Sequence, residues 1–396
     1  MICVYDTFMI SNDEAIVMGG ISATNMTLFH QTRFRVGDPL AFADICAANG
    51  ARMRTLIVRD IELDRARQHA RADVFASPSE FAPATGLSGE RDISTAQALA
   101  QCVLRAGVKR AVCDRTFPAL FMHVLTDAGI SMRCDLELFQ SARRSKDAAE
   151  LKAMDESQRI TEDAIELACR LIARAGVNAN GELVHEGAPL SSERVRGEID
   201  MFFARHGFEN PRSIVAGGAQ GADCHHDGDG VLRTGELVMV DIFPKSKSSG
   251  YWGDCTRTVV HGKVVPQAAR MHEAVVQAKA AAVRAAKVGA TGSQVHGETL
   301  RVIHEHGFNS GTPPVDAPDS WCGMVHGTGH GLGLDVHEPP LMDRGGLPLV
   351  AGDVITIEPG LYCKAVGGVR VEDAYVIEAT GARRLGRGLQ EGLDWS

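Results

Sequence analysis

Three strand-like segments of this chain place ionisable acids inside otherwise apolar runs. Leu237 to Phe243 reads LVMVDIF, with Asp241 its one acid. Val354 to Glu358 reads VITIE and is ended by Pro359 and Gly360. Gly367 to Glu378 reads GGVRVEDAYVIE, with Glu372 and Asp373 in its middle. A carboxylate taken into apolar surroundings costs free energy unless something compensates it. One such acid is ordinarily explained by a strand end or an arginine partner. Arg370 is the only basic residue inside the three segments, however. One guanidinium cannot neutralise three or four carboxylates; two divalent cations can. Asp254 joins the set, because the polar stretch Lys245 to Gly250 (KSKSSG) reads as a hairpin loop that returns it beside Asp241.

A histidine segment lies between these strands. Val325 to Pro340 reads VHGTGHGLGLDVHEPP, and Gly327, Gly329, Gly331 and Gly333 make a helix costly there. Glycines spaced by two imply an extended backbone that something approaches closely. On such a backbone His326 and His330 lie about 13 Å apart, too far to share one ion. One histidine is therefore expected to ligate, and the others, His337 included, to face substrate, unless the glycines bend the chain. Oxygen ligands with one imidazole suit manganese, cobalt, zinc or iron.

The remainder supplies a frame. Residues 1 to about 140 read as a mixed α/β unit, with a strand at Arg54 to Val58, a short apolar run at Ala111 to Cys113 and a helix from Phe117 to Ala128. No cluster with ligand spacing occurs there. The polar stretch Ser141 to Lys146 opens a long helical pattern in which Leu151, Met154, Thr161, Ile165, Ala168 and Ile172 recur until Gly176. A second helix is expected from Ser192 to about Arg205, then strands from Ser213 to about Val260. The order then repeats: helices from about Pro266 to Lys287 and Ser293 to His306, then strand-like segments from Val325 to Ile377. Helix, helix, sheet, twice over, predicts two similar halves facing each other.

Composition removes several classes of partner. Aromatics at 5% and a net charge of −9 oppose a nucleic-acid surface, which needs stacking groups and phosphate-neutralising cations. No apolar run approaches the roughly 20 residues that span a bilayer. Met1 to Asp13 lacks the basic-then-apolar pattern of a secretory leader. The ten cysteines, Cys3 to Cys363, form no C-x-x-C pair, so they read as small buried hydrophobes in a reducing, cytoplasmic setting.

The motifs HGTGHGLGLDVHEPP, TIEPGLY and GGVRVEDAYV, following VDIFP and GDCTRTVV, resemble the pita-bread metallopeptidases over roughly Lys146 to Thr380. That family includes methionine aminopeptidase, aminopeptidase P and prolidase. With an α/β unit in front, the resemblance is to its creatinase–prolidase–aminopeptidase P branch. It implies an α/β (α+β) protein: a creatinase-like N-terminal domain, 1–144, and a catalytic pita-bread domain with pseudo-two-fold halves, 145–396. It further implies that Asp241 binds one metal, that Asp254 and Glu372 bridge two, and that His330 and Glu358 complete the shells. His326 and His337 would steady the substrate carbonyl and the tetrahedral intermediate. A further substrate histidine is His225 or His226, with His225 preferred by its spacing to Gly228 and Gly230. Arg370, two residues before Glu372, would share its face, orient that carboxylate and border the substrate.

Two departures from the family pattern stand out. The Asp241 to Asp254 gap is two residues longer than usual, and the family's aspartate–x–glycine becomes Asp241-Ile242-Phe243-Pro244. The implied activity is hydrolysis of Xaa-Pro dipeptides or N-terminal Xaa-Pro peptides by a hydroxide held between two divalent ions, manganese first among cobalt, zinc and iron. Glu358 would carry the proton to the leaving nitrogen. A small peptide is the expected partner, with no nucleic acid or membrane, in a homodimer. The rivals are another C–N hydrolase or a lyase on the same fold, and an inactive binding protein.

Overall fold

The structure, a computed structural model, describes residues 11–47 and 50–396. Most of the Met1 to Asp13 stretch, and Cys3 with it, lies outside that range. Two compact units divide the chain, residues 1–143 and 144–396.

The first unit is built on a six-stranded sheet. Its spatial order is Val74–Ala76, Arg52–Ile57, Leu40–Cys46, Glu14–Gly20, Arg110–Asp114 and Ser131–Asp135. Side chains alternate across a strand, and both faces of this sheet are apolar. Ala15, Val17, Ala41 and Ala43 pack one core, while Ile16, Met18, Leu40 and Phe42 pack another. The sheet is therefore covered on both sides. The expected helix after the Arg110–Asp114 strand runs Ala119–Asp127, starting two residues later than the sequence reading because Pro118 occupies its N-cap.

The second unit follows the doubled order. Its first helix, Ala148–Ala173, is opened by a reciprocal cap: Asp147 accepts from the backbone of Ala149 and Glu150, and the Glu150 carboxylate accepts from Asp147 N–H. This is why the helix starts at Ala148 and not within Ser141 to Lys146, where a separate short helix, Gln140–Arg144, ends. Asp147→Ala is expected to lower unfolding free energy by about 1 kcal/mol, read from denaturant midpoints at constant slope. Helix Ser192–His206 follows and ends on Gly207 in the left-handed region. Ile165, Ala168 and Ile172 meet Val195, Ile199 and Val240 in one core. That core backs an antiparallel sheet of Ser213–Gly217, Leu237–Ile242 and Cys255–Val260.

Helices Pro266–Ala285 and Gly292–Glu305 open the second half. Its strands separate into two sheets. One joins Asn309–Ser310, Cys322–Met324, Gly360–Cys363 and Gly367–Arg370. The other joins Glu338–Met342, Gly329–Gly331, Val354–Ile357, Asp373–Glu378 and Gly381–Arg384. No helix among the described residues is long and apolar enough to cross a membrane. The described cysteines are free thiols, but not all are buried: Cys134 is exposed and Cys224 is half-buried at the site below.

Candidate metal centre

Strand pairing delivers the acids to one place. Asp241 pairs with Thr256, and Ile242 with Cys255, so Asp254 leaves the hairpin next to Asp241. In the other half Ile357 pairs with Asp373, which puts Glu358 and Glu372 just beyond the end of the same ladder. The halves are stitched where these ends meet: Glu372 N–H donates to Thr256 O at 3.1 Å, and Thr256 Oγ1 donates to Glu372 Oε2 at 2.6 Å. Asp254 is pinned from the long helix. Gln158, fully buried, donates to Asp254 O at 2.8 Å and accepts from Asp254 N–H at 3.0 Å.

His330 completes the cluster. Its Nδ1 lies 3.1 Å from Gly331 O, which places the proton there and leaves the Nε2 lone pair facing inward. Nε2 is 3.6 Å from Asp254 Oδ2 and 3.5 Å from Glu358 Oε1. One ligand atom each from Asp254, His330 and Glu372 lie within 4.8 Å of one another. Two atoms each about 2.1 Å from one ion lie roughly 3 to 3.5 Å apart, and the 3.5 and 3.6 Å separations at His330 Nε2 are nearer that than a hydrogen bond. His330 is held below the usual imidazole range by burial, which keeps it neutral and able to ligate.

Protein groups compensate these carboxylates only in part: Arg370 pairs with Asp241, and Thr256 donates to Glu372. Burial, then Glu372, Asp241 and Glu358, pushes Asp254 well above the usual carboxylate range. Burial, then Glu358 and Asp241, does the same to Glu372. Asp241 Oδ1 is buried without a hydrogen-bond partner. Repelling carboxylates, an orphaned oxygen and an inward lone pair fit divalent cations. Asp373 shows the contrast. It is fully buried, but Arg257 meets it at 2.8 Å, Arg384 at 2.5 Å, and Lys279 also pairs with it. Burial alone would raise its carboxyl; the three cations outweigh that and hold it below the usual range. Of two neighbouring acids, Glu372 belongs to the cluster and Asp373 to the frame.

The cluster lines a cavity of about 420 Å³, large enough for a dipeptide. His225, His326, His337 and Phe243 line it. His226 instead accepts from Gly228 N–H, so of the two candidates His225 is the one in the cavity. The histidine-loop glycines are required by close approach. A side chain on Gly329 would meet Thr356 O at 2.1 Å, and one on Gly331 would meet Glu338 O at 2.4 Å.

A family model described as metallopeptidase family M24 matches residues 152–379. The chain belongs to that family. It is 33% identical over 225 residues to an Xaa-Pro dipeptidase of Pyrococcus furiosus, covering 56% of this chain and 60% of that protein. A probable dipeptidase, PepE, of Mycobacterium tuberculosis is 32% identical over 282 residues, covering 70% of this chain and 68% of that one. Among solved structures, the Pyrococcus furiosus prolidase superposes with a TM-score of 0.74 at 20% identity, covering 95% of this chain and 97% of that one. An Xaa-Pro dipeptidase from Bacillus anthracis gives 0.75 at 23%, covering 96% and 94%. The fold is the pita-bread fold of these proteins.

Within this M24 chain two expectations change. Arg370 lines the cavity, but it meets Glu372 only indirectly. Its guanidinium meets Asp241 Oδ2 at 2.5 Å, Tyr362 Oη at 2.8 Å and Cys224 O at 3.3 Å, and Nε reaches Glu372 only through Thr256 Oγ1. Its bond to Asp241 braces that carboxylate. His326 also has both ring nitrogens engaged, Nδ1 with Gly327 O and Nε2 with Tyr362 Oη, each at 2.7 Å. The enlarged hairpin forms a tight loop docked on the other half, where Trp252 Nε1 donates to Leu334 O at 2.9 Å.

Gln158, Tyr362, Thr256 and Arg257 went unnoticed in the sequence. Gln158 had a signal, a polar residue on the apolar face of the long helix; the others had none. Gln158→Ala leaves the backbone of Asp254 unpinned and is expected to weaken divalent-cation binding by about 10- to 100-fold, measured by calorimetric titration.

Proposed function

We propose that this chain hydrolyses the bond before proline in Xaa-Pro dipeptides or N-terminal Xaa-Pro peptides, using two divalent cations, manganese first. The observation that carries this reading is the convergence of four carboxylates and the inward Nε2 of His330 in a dipeptide-sized cavity. Relatives named Xaa-Pro dipeptidase support the choice of substrate.

Asp241, Asp254, His330, Glu358 and Glu372 would hold the cations. When bound, these supply Lewis acidity that polarises the scissile carbonyl and acidifies water. Glu358 is half-buried and open to the cavity, so its carboxylate can take a proton and pass it to the leaving nitrogen. Burial holds His337 below its usual range, neutral at pH 7. Standing edge-on to His330 with ring centroids 4.2 Å apart, it can give a hydrogen bond to the developing oxyanion. Tyr362 fixes the His326 ring.

The test is a dipeptide and tripeptide series, Xaa-Pro and Xaa-Pro-Xaa against Xaa-Ala controls, with protein loaded with manganese. Turnover of proline peptides at least tenfold above the alanine controls is expected. Turnover of alanine peptides alone, or of none, would overturn the substrate assignment.

A further inference from the structure

One acid lining the cavity stands outside the metal cluster. Asp343 immediately follows the strand Glu338–Met342, in which burial alternates, Met342 being buried and Leu341 exposed. Leu341 and Asp343 both line the cavity, two residues apart and on one face. Extended backbone separates such positions by roughly 7 Å, close to the reach of an extended lysine stem.

Asp343 is poorly compensated. Its Oδ1 accepts from Arg344 N–H at 2.6 Å, and among the described residues no ion pair joins it to the Arg344 side chain. Its ion-pair partner is His296, whose Nε2 is 3.6 Å away, beyond a hydrogen bond. The His296 ring is anchored by Nδ1 to Thr328 Oγ1 at 3.0 Å, and burial holds it below its usual range and neutral. Asp343 Oδ2 lies 3.1 Å from where a side chain on Gly327 would begin, and among the described residues it has no hydrogen-bond partner. Apart from the cluster and its brace Arg370, the other charged lining group is Arg212. Its guanidinium is taken by Asp227 Oδ1 and His225 O.

We propose that Leu341 and Asp343 form a subsite for a cationic Xaa side chain, lysine or arginine, the stem lying on Leu341 and the charge meeting Asp343. This rests on the Xaa-Pro reading. Proline carries no cation, so in an Xaa-Pro dipeptide a positive side chain can only belong to Xaa. A charge-assisted bond to a half-exposed carboxylate is worth about a factor of ten.

The test compares Lys-Pro with norleucyl-proline, which keeps the stem and the α-amine but lacks the side-chain charge. In the manganese-loaded enzyme, kcat/KM for Lys-Pro is expected to exceed that for norleucyl-proline by about tenfold. Asp343→Asn should bring the ratio to about one. Asp343→Lys should invert charge preference, favouring Glu-Pro over Gln-Pro. A wild-type ratio near one, or a ratio unchanged in Asp343→Asn, overturns the proposal. If neither dipeptide is hydrolysed, the Xaa-Pro reading has failed instead. The same ratio is then read from calorimetric dissociation constants, and equal affinities, or no binding of either peptide, overturn the subsite.

Discussion

Glu372→Gln is expected to lower kcat/KM on an Xaa-Pro dipeptide by about a thousandfold while raising the thermal midpoint of the metal-free protein. The first effect follows from removing a charge the cations need, a loss of the size seen for a preorganised electrostatic group. The second follows from the same repulsion. Glu372 and Asp254 are both pushed well above their ordinary range by burial and by their neighbouring carboxylates. An acid raised on folding binds more protons in the native state than in the unfolded one. The stability of the metal-free protein therefore falls as pH rises from the unfolded carboxylate pKa toward the raised native values. Glutamine at 372 removes one repelling charge yet still accepts from Thr256, so the fall should flatten. Thermal scans of metal-free protein from pH 4 to pH 8 measure this. A midpoint lower than wild type throughout would show that Glu372 serves the frame.

Asp373→Ala should do the opposite. It leaves Arg257, Lys279 and Arg384 facing one another in the core without their shared anion. Breaking one partner out of a buried ion cluster costs about 3 to 5 kcal/mol, because the remaining charges stay desolvated. Urea unfolding is expected to show a loss of that size, whether or not metal is present. Whatever folded fraction remains should still bind divalent cations. An equal loss of stability in Glu372→Gln and Asp373→Ala would erase the distinction between the two acids.

What the sequence disclosed has a physical pattern. Asp241, Glu358 and Glu372 were legible because a charge in an apolar strand violates local consistency, and such violations mark function or strain. The helices Ser192–His206, Pro266–Ala285 and Gly292–Glu305 were legible from apolar period. The roles of acids within one strand were not. Glu372 and Asp373 are adjacent and identical in charge, and what separates them is the company each face keeps: Thr256 and the cluster on one, Arg257 and Lys279 on the other. Those partners are more than 90 residues away in sequence. Arg370 was read onto Glu372 by strand alternation, yet it reaches across to Asp241 on another sheet. Of His225 and His226, only His225 lines the cavity, because the turn in which Gly228 N–H donates to His226 holds that ring elsewhere.

The most direct test is a calorimetric titration of metal-free protein with manganese, checked by elemental analysis after dialysis. Four carboxylates and one imidazole arranged as described should take up two equivalents per chain in the wild type. Glu372→Gln should lose at least one of them, and Asp343→Asn should lose none. Wild-type protein that leaves dialysis without metal and gives no heat of binding would contradict the account at its root.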